Sequence, residues 1–314
     1  MIITVTLNPL LEKILFFEKI ETNKVNRAYK AIYNSGGKGI NVSRQLNHFN
    51  IENLASGFLG GENGKRLKSL LYKEQIKNSF QQINSETREG IVIVEKNVIK
   101  ESYFDPDPLI NSEEVENLIV KTKKAILNSE MIIFSGSSPR FQNDEDEYKI
   151  FSSLISFALD NDKFVLLDIY GKRVDQIFNL KPTIVHLNLE ELEQTIGKEI
   201  NNLNEKIRFG EELYTKKGIK IFLLTDGSKE FIAMNQGIFY KIIPPKINSV
   251  NSTGSGDAFM AGFIYGLHNN LSFEQILKYA TAAGAANAEM FEVCSSPLSR
   301  IEELTQEVSV IKLN

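Results

Sequence analysis

Apolar positions along this chain switch between two spacings. Short β-branched runs at Ile2–Asn8, Leu54–Gly60, Met131–Ser137, Phe164–Ile169, Thr183–Asn188 and Ile219–Thr225 read as strands. Between them, apolar residues recur three and four apart, which predicts helices over about 39–49, 62–76, 112–129, 144–161 and 203–217. Several of the strand runs are apolar throughout, the pattern of strands covered on both faces. Strand–helix alternation of this kind predicts right-handed crossovers and an α/β fold, a three-layer α/β/α sandwich around a mostly parallel central sheet.

Two regions interrupt the rhythm. Ile14–Tyr33 and Gly90–Tyr103 look like β segments with no helix between their strands. They predict a small separate sheet, a lid inserted from about 10–35 and 88–108 into a single domain spanning 1–314. Further on, Phe231–Pro245 reads as a hairpin, followed by helices over about 256–268 and 272–290. No internal repeat is evident.

Composition narrows the classes. The chain has 314 residues, 42% hydrophobic and 24% charged, which is ordinary for a globular protein with a large core. A net charge of -4 without a Lys/Arg block gives no sign of a nucleic-acid partner, so any anion binding must be local. Cys294 is the only cysteine, which excludes a disulfide framework and a CxxC metal site; it reads as a small half-buried residue. Met1 to Phe17 contains Glu12 and Lys13 and lacks the form of a signal peptide, and no apolar run is long enough for a membrane helix. A cytoplasmic location is expected.

The most informative stretch is Ser252-Thr253-Gly254-Ser255-Gly256-Asp257-Ala258-Phe259. Glycines at 254 and 256 permit a tight turn whose N–H groups converge, and a helix starting there adds its positive end, so a phosphate group could sit there. Asp257 would then stand in the first helical turn, able to orient a hydroxyl and take its proton during phosphoryl transfer. The bland alternative is an ordinary Asp helix start after a glycine-rich loop. Downstream, Ala280-Thr281-Ala282-Ala283-Gly284-Ala285-Ala286-Asn287 allows close approach by a neighbouring backbone or a flat ligand.

A second glycine cluster, Gly36-Gly37-Lys38-Gly39-Ile40-Asn41-Val42-Ser43-Arg44, opens another predicted helix. Val42, Leu46 and Phe49 give that helix an apolar face, and Asn41 falls off it. Lys38 could present its ammonium beside free backbone amides, whereas the bland reading is a solvated helix start. Neither a Walker loop nor a dinucleotide fingerprint after the first strand is present.

Together and in this order, these clusters resemble the PfkB (ribokinase-like) carbohydrate kinase family, and within it the 1-phosphofructokinase and tagatose-6-phosphate kinase branch. Thr6-Leu7-Asn8-Pro9, Val25-Asn26-Arg27, Glu86-Thr87-Arg88, Ser135-Gly136-Ser137-Ser138-Pro139, Asn188 with Glu191, and Thr225-Asp226-Gly227-Ser228 complete the resemblance, which covers nearly the whole chain. It implies Asp257 as catalytic base, with Gly254, Ser255 and Gly256 as the turn around the transferring group. It also implies ATP and Mg²⁺, with Asn188 and Glu191 organising the metal through water, and Thr225, Asp226, Gly227 and Asn287 at the nucleotide. The i, i+3 spacing of Asn188 and Glu191 at a strand end suits that task. On the sugar side it implies Glu12, Gly37, Lys38, Asn41 and Ser137. Arg27 and Arg88 would supply the fixed cation that a phosphorylated substrate needs, Arg88 being the stronger candidate. Relatives commonly depend on a monovalent cation, and nothing here locates such a site.

The chain departs from the family at Glu12, where Asp is usual, at His186-Leu187 in place of Lys-Pro, and at Asn251 in place of an acidic residue. Tagatose-6-phosphate and fructose-1-phosphate remain as acceptors, and Gly-Ser-Gly-Asp inclines to the tagatose branch by family habit. An unphosphorylated sugar or a nucleoside is the alternative acceptor, and a non-catalytic nucleotide- or sugar-phosphate-binding regulator the alternative class. A β lid exposes strand edges, so a homodimer joined through the lids is expected.

Overall fold

The strand Ile2–Thr6 is buried at every position, as its unbroken apolar run requires. It sits inside a computed structural model that describes residues 1–96, 98–171, 173–200 and 202–313; Asn97 in the predicted lid and Asn314 at the end of the predicted domain lie outside the described residues. In chain order the first strands are β1 (Ile2–Thr6), β2 (Leu10–Phe17), β3 (Lys30–Gly36), β4 (Asn53–Gly60), β5 (Gln81–Ile83), β6 (Glu89–Glu95), β7 (Val98–Phe104) and β8 (Leu109–Ile110). They continue as β9 (Met131–Ser135), β10 (Arg140–Phe141), β11 (Phe164–Asp168), β12 (Ile184–Asn188), β13 (Ile221–Thr225), β14 (Phe231–Asn235), β15 (Ile238–Ile243) and β16 (Ser309–Lys312). The helices are α1 (Lys38–His48), α2 (Gly61–Lys73), α3 (Ser112–Ile126), α4 (Glu145–Asp160), α5 (Val174–Phe178), α6 (Leu189–Ile196), α7 (Leu203–Lys217), α8 (Ser255–His268), α9 (Phe273–Ala288) and α10 (Leu298–Thr305).

Ten strands form the central sheet in the order β16-β15-β14-β13-β12-β11-β9-β1-β4-β5. From β5 to β13 all neighbours are parallel, and β14, β15 and β16 close the far side antiparallel. Alternate side chains of one strand enter two different cores. On β9, Ile132 and Phe134 join α3, α4 and α7 on one face, while Met131 and Ile133 join α1, α8, α9 and α10 on the other. This is the predicted three-layer sandwich, and burial on both faces explains why the strand runs carry no polar alternation.

The lid is a four-stranded sheet in the order β3-β2-β6-β7. Its two hairpins come from the two segments that broke the helical rhythm, and they meet through parallel pairing of β2 with β6. Its own apolar cluster is small: Ile14, Phe16, Val92 and Val94, with Ile32 and Phe291 packed beside it. The predicted hairpin after β13 is formed by β14 and β15. Unforeseen elements include the short β5, β8 and β10, α5, and the closing α10 and β16, pieces too short for a periodic pattern to register. Among the described residues no helix is long and apolar enough to cross a membrane.

The strand order reverses around β1: the next strand in sequence within the sheet, β4, lies on one side of it, and β9 lies on the other. In open α/β sheets ligands bind beyond the C-terminal strand ends at such a switch point. The chain is drawn tight there. Gly57, within β4, pairs with Thr6 at the end of β1, with φ 141°, and a side-chain carbon at Gly57 would overlap the Thr6 carbonyl. Gly57→Ala is expected to destabilise the protein by more than about 3 kcal/mol, through backbone strain plus overpacking. Urea unfolding of the variant checks this; a cost below about 1 kcal/mol would show that the strand ends are not held as described.

Candidate active site

The C-terminal ends of the parallel strands and the N-termini of α1, α6 and α8 meet along one cleft, roofed by the lid. At its centre is the start of α8. Gly254, the residue before the helix, has φ 76°, a left-handed turn favouring glycine, and Val293 stands where a side chain would be. No side chain caps this helix. Ser255 N donates to Ser252 O, whereas the amides of Gly256 and Asp257 have no acceptor among the described residues. Bare amides at a helix N-terminus favour an anion.

The turn is clamped from behind. Asn287, 1% exposed, donates through Nδ2 to Thr253 O at 2.9 Å and to Ser255 Oγ at 3.1 Å. Its Oδ1 accepts from Cys294 N at 2.7 Å, and the Cys294 thiol reaches Gly254 O at 3.4 Å. The expected half-buried cysteine is thus fully buried under the turn. Gly284 lets α9 approach, since a carbon added there would lie 3.0 Å from Ser255 O. The small-residue stretch on α9 therefore serves backbone packing at this point.

Asp257 is 4% exposed and accepts from Asn41 Nδ2 at 2.7 Å. Burial pushes its carboxyl up to about 7, against the attraction of Lys38. Asn41 is fixed in turn: Arg44 donates to its Oδ1 at 2.7 Å, to Glu74 at 2.6 Å and to Ser35 O at 2.6 Å. That places the amide nitrogen of Asn41 toward Asp257.

Lys38 bridges two other carboxylates. Its Nζ lies 2.6 Å from Glu191 Oε1 and 3.7 Å from Asp168 Oδ1. Burial works against its charge, but Asp168, Glu191 and Asp257 outweigh that and hold its ammonium above the ordinary value. Beneath it, Asp168 accepts from Ser135 Oγ at 2.6 Å and lies 2.7 Å from His186 Nδ1, while His186 Nε2 lies 3.1 Å from Thr225 Oγ1. Desolvation opposes ionisation of Asp168, yet Lys38 and His186 keep its carboxyl below the usual range. His186 also stacks on Phe259 of α8 with ring centroids 5.4 Å apart.

The reason for a glycine on each side of Lys38 is steric. A carbon at Gly37 would lie 2.7 Å from Thr6 Cγ2, and one at Gly39 would lie 2.5 Å from Thr6 Oγ1. This close seat on the end of β1 brings Lys38 and Asn41 to the centre. Asn188 and Glu191 form a capping box at the start of α6: Glu191 N donates to Asn188 Oδ1 at 2.8 Å, and Asn188 N to Glu191 Oε2 at 3.1 Å.

On the lid side, Glu12 is half-buried, with its pKa raised by burial, and accepts from Asn34 Nδ2 at 3.3 Å. Arg88 donates to Asp107 Oδ1 at 3.1 Å and to Asn8 O at 3.0 Å. Asn8 Nδ2 reaches the same Asp107 oxygen at 2.7 Å and Ser137 Oγ at 3.3 Å.

All the residues expected at the site line the cleft except Arg27 and Asn287. Arg27 is exposed in the segment between β2 and β3, and Asn287 stands behind the anion turn. Lys38 lines the cleft while paired with two carboxylates. Sequence reading passed over Asn8, Asp107, Ser135 and Asp168 as individual residues and noted His186 only as a departure. Asn8 and Ser135 stand inside quoted motifs, but nothing local marks Asp107 or Asp168, because each acquires its meaning from a partner distant in sequence.

Comparison with known proteins agrees with this geometry. The model for pfkB family carbohydrate kinases matches residues 6–299. Tagatose-6-phosphate kinase of Staphylococcus epidermidis is 29% identical over 315 residues, covering 100% of both chains. The 1-phosphofructokinase of Borreliella burgdorferi is 30% identical over 295 residues, covering 94% of each. A solved structure described as a possible 1-phosphofructokinase from Thermotoga maritima superposes with a TM-score of 0.87 at 25% identity, covering 100% of this chain and 99% of the other. A buried carboxylate beside an uncapped helix start, in a cleft roofed by a β lid, is thus accompanied by likeness along nearly the entire sequence: the chain belongs to the pfkB family of carbohydrate kinases.

Proposed function

We propose that this protein is an ATP-dependent kinase of a ketohexose monophosphate, with Asp257 as the base. The acceptor is tagatose-6-phosphate, phosphorylated at its C1 hydroxyl, or fructose-1-phosphate, phosphorylated at its C6 hydroxyl. The observation that carries the reading is the juxtaposition of Asp257 with the bare amides of Gly256 and Asp257. A hydroxyl oxygen beside the carboxylate would give up its proton as it attacks the γ-phosphoryl, while the α8 amides receive the charge spread over the moving group. Names of relatives support a phosphorylated sugar as acceptor.

The residues present suit a nucleotide with its metal. Thr225, Asp226 and Gly227 line the cleft at the end of β13, and among the described residues nothing lies within 4 Å of where a Gly227 side chain would begin. Among the described residues no group of three or more His, Cys, Asp or Glu could cage a metal alone. Mg²⁺ would accordingly travel with the phosphates, held by Glu191 and Asn188 through its waters, and when bound it supplies neutralisation of phosphate charge. Lys38, kept protonated by its carboxylates, adds positive charge beside Glu191. ATP as donor and a lone thiol, Cys294, suit a cytoplasmic setting.

Lid pairing into a homodimer is part of the same proposal. Among the described residues strand β7 pairs only with β6 and forms an edge of the lid, exposed at every position and carrying Val98, Ile99, Tyr103 and Phe104. Light scattering at micromolar concentration is expected to give twice the chain mass; a monomer refutes the pairing.

For the chemistry, ADP release is followed with Mg-ATP and a panel of ketohexose phosphates and neutral sugars. Asp257→Asn is expected to lower kcat by about 10²–10⁴ on the preferred phosphate ester. Retention of more than about a tenth of the activity removes Asp257 as base. The same variant has an opposite effect on stability. The folded carboxyl titrates at about 7 against an ordinary 3.8, so the folded state holds a proton that the unfolded chain releases. Stability thus falls as pH rises from about 4 to 7, and the deficit above 7 is at most about 4 kcal/mol. Asp257→Asn is expected to raise Tm at pH 8 and to have little effect at pH 4, as thermal unfolding would record.

A further inference from the structure

The guanidinium best placed to receive a substrate phosphate is already engaged. Arg88, with its side chain 15% exposed, pairs with Asp107, 38% exposed, at 3.1 Å. The same carboxylate oxygen accepts from Asn8 Nδ2 at 2.7 Å. One Asp107 oxygen thus takes two donors that converge on a single point. A further donor here, Arg88 Nε, is buried without a partner among the described residues. The corner therefore has hydrogen-bonding capacity that the Asp107 carboxylate does not saturate.

The pair also occupies a mechanical position. Asn8 lies just before β2, Arg88 just before β6, and Asp107 just after β7. These are three of the four links joining the lid to the main domain. Asp107 stands between Pro106 and Pro108; their rings fix the backbone and hold the residue before each extended, so the carboxylate is presented with little freedom to lose. The chain continues into β8, paired with β10, where Arg140 Nε donates to Asp107 O at 3.0 Å.

We propose that Asp107 is a built-in stand-in for the substrate's anionic group, an anion latch at the lid hinge that sets specificity by making every incoming anion compete for Arg88 and Asn8. A phosphate ester carries more charge and more acceptor oxygens than one carboxylate, and it can engage the guanidinium through two parallel bonds. It displaces the latch and frees the hinge between lid and main domain. A neutral sugar leaves the latch closed. The latch deepens the sugar-phosphate reading and depends on it for biological sense, whereas the competition itself is a property of Asp107 and Arg88 alone.

The two are separated by using inorganic phosphate as the probe. Isothermal titration of phosphate into the full chain is compared for wild type, Asp107→Asn, Asp105→Asn and the double variant Arg88→Ala with Asp107→Asn. Removing the Asp107 charge is expected to tighten phosphate binding about 10-fold, the value of one charge-assisted hydrogen bond returned to the ligand. Asp105→Asn, which removes a nearby carboxylate not paired with Arg88, is expected to leave the affinity unchanged, and the double variant to lose the gain. Phosphate binding in Asp107→Asn equal to or weaker than in wild type overturns the latch and makes Asp107 a scaffold for Arg88. Should the Asn variant fail to unfold cooperatively, Asp107→Ala replaces it, with the same tightening expected and the same absence of tightening overturning the latch. In turnover, KM for the ketohexose monophosphate is expected to fall in Asp107→Asn while KM for ATP stays fixed. If only neutral sugars are phosphorylated while phosphate binding still tightens, the latch stands and the sugar-phosphate reading fails.

Discussion

Asp168, Glu191 and Asp257 converge on one ammonium, that of Lys38, at the C-terminal edge of a sheet that offers little water. Lys38 contacts Glu191 and Asp168 directly, and Ser135 and His186 are further partners of Asp168. Asp257 receives an amide hydrogen bond and no cation of its own. Burial therefore dominates at Asp257 and is overcome at Asp168, which gives two carboxylates of nearby position opposite proton affinities. A carboxylate that gives up its proton near neutrality is suited to take one from a hydroxyl. The division of one positive charge among three negative ones is what assigns the roles.

Much of the framework was legible in the chain. Unbroken apolar strands, intervening helices and the two glycine turns carry local signals, since each reflects a backbone or burial requirement within a few residues. The four-stranded lid was legible for the same reason, as β segments without helices between. The charge cluster was less so. Ser135 and Asp168 are brought together because β9 and β11 pair in register at those positions, and His186 and Thr225 lie on adjacent strands whose ends align. Sequence periodicity does not encode which strands are neighbours or how they are registered. Asp107 was hidden likewise: in the chain it is one polar residue between prolines, and only the fold sets it on Arg88.

Several residues singled out for chemistry turn out to have a structural task as well. Asn188 and Glu191 close the backbone of α6, and Glu191 still has an oxygen for Lys38. Gly37 and Gly39 are required by the Thr6 side chain whatever ligand is present. Asn287 holds the anion turn from behind rather than facing the cleft. Local rules and site chemistry draw on the same residue types, which is why a short motif by itself could not separate them.

The lid has a further consequence that concerns the order of assembly. Its two hairpins are separated by α1 and a whole βαβ unit, β4–α2–β5, yet the seam between them is the parallel pairing of β2 with β6. The seam cannot form until some ninety residues have left the ribosome, and it is a closure whose entropic cost grows with the intervening length. The finished sheet has only a handful of apolar side chains of its own, and Leu11 at the start of β2 anchors it in the cluster formed with α1, β4 and α2, so the part beyond that anchor can open while the sandwich beneath persists. Amide protons of β2 and β6 would then exchange through that partial opening, well ahead of those on β1 and β9.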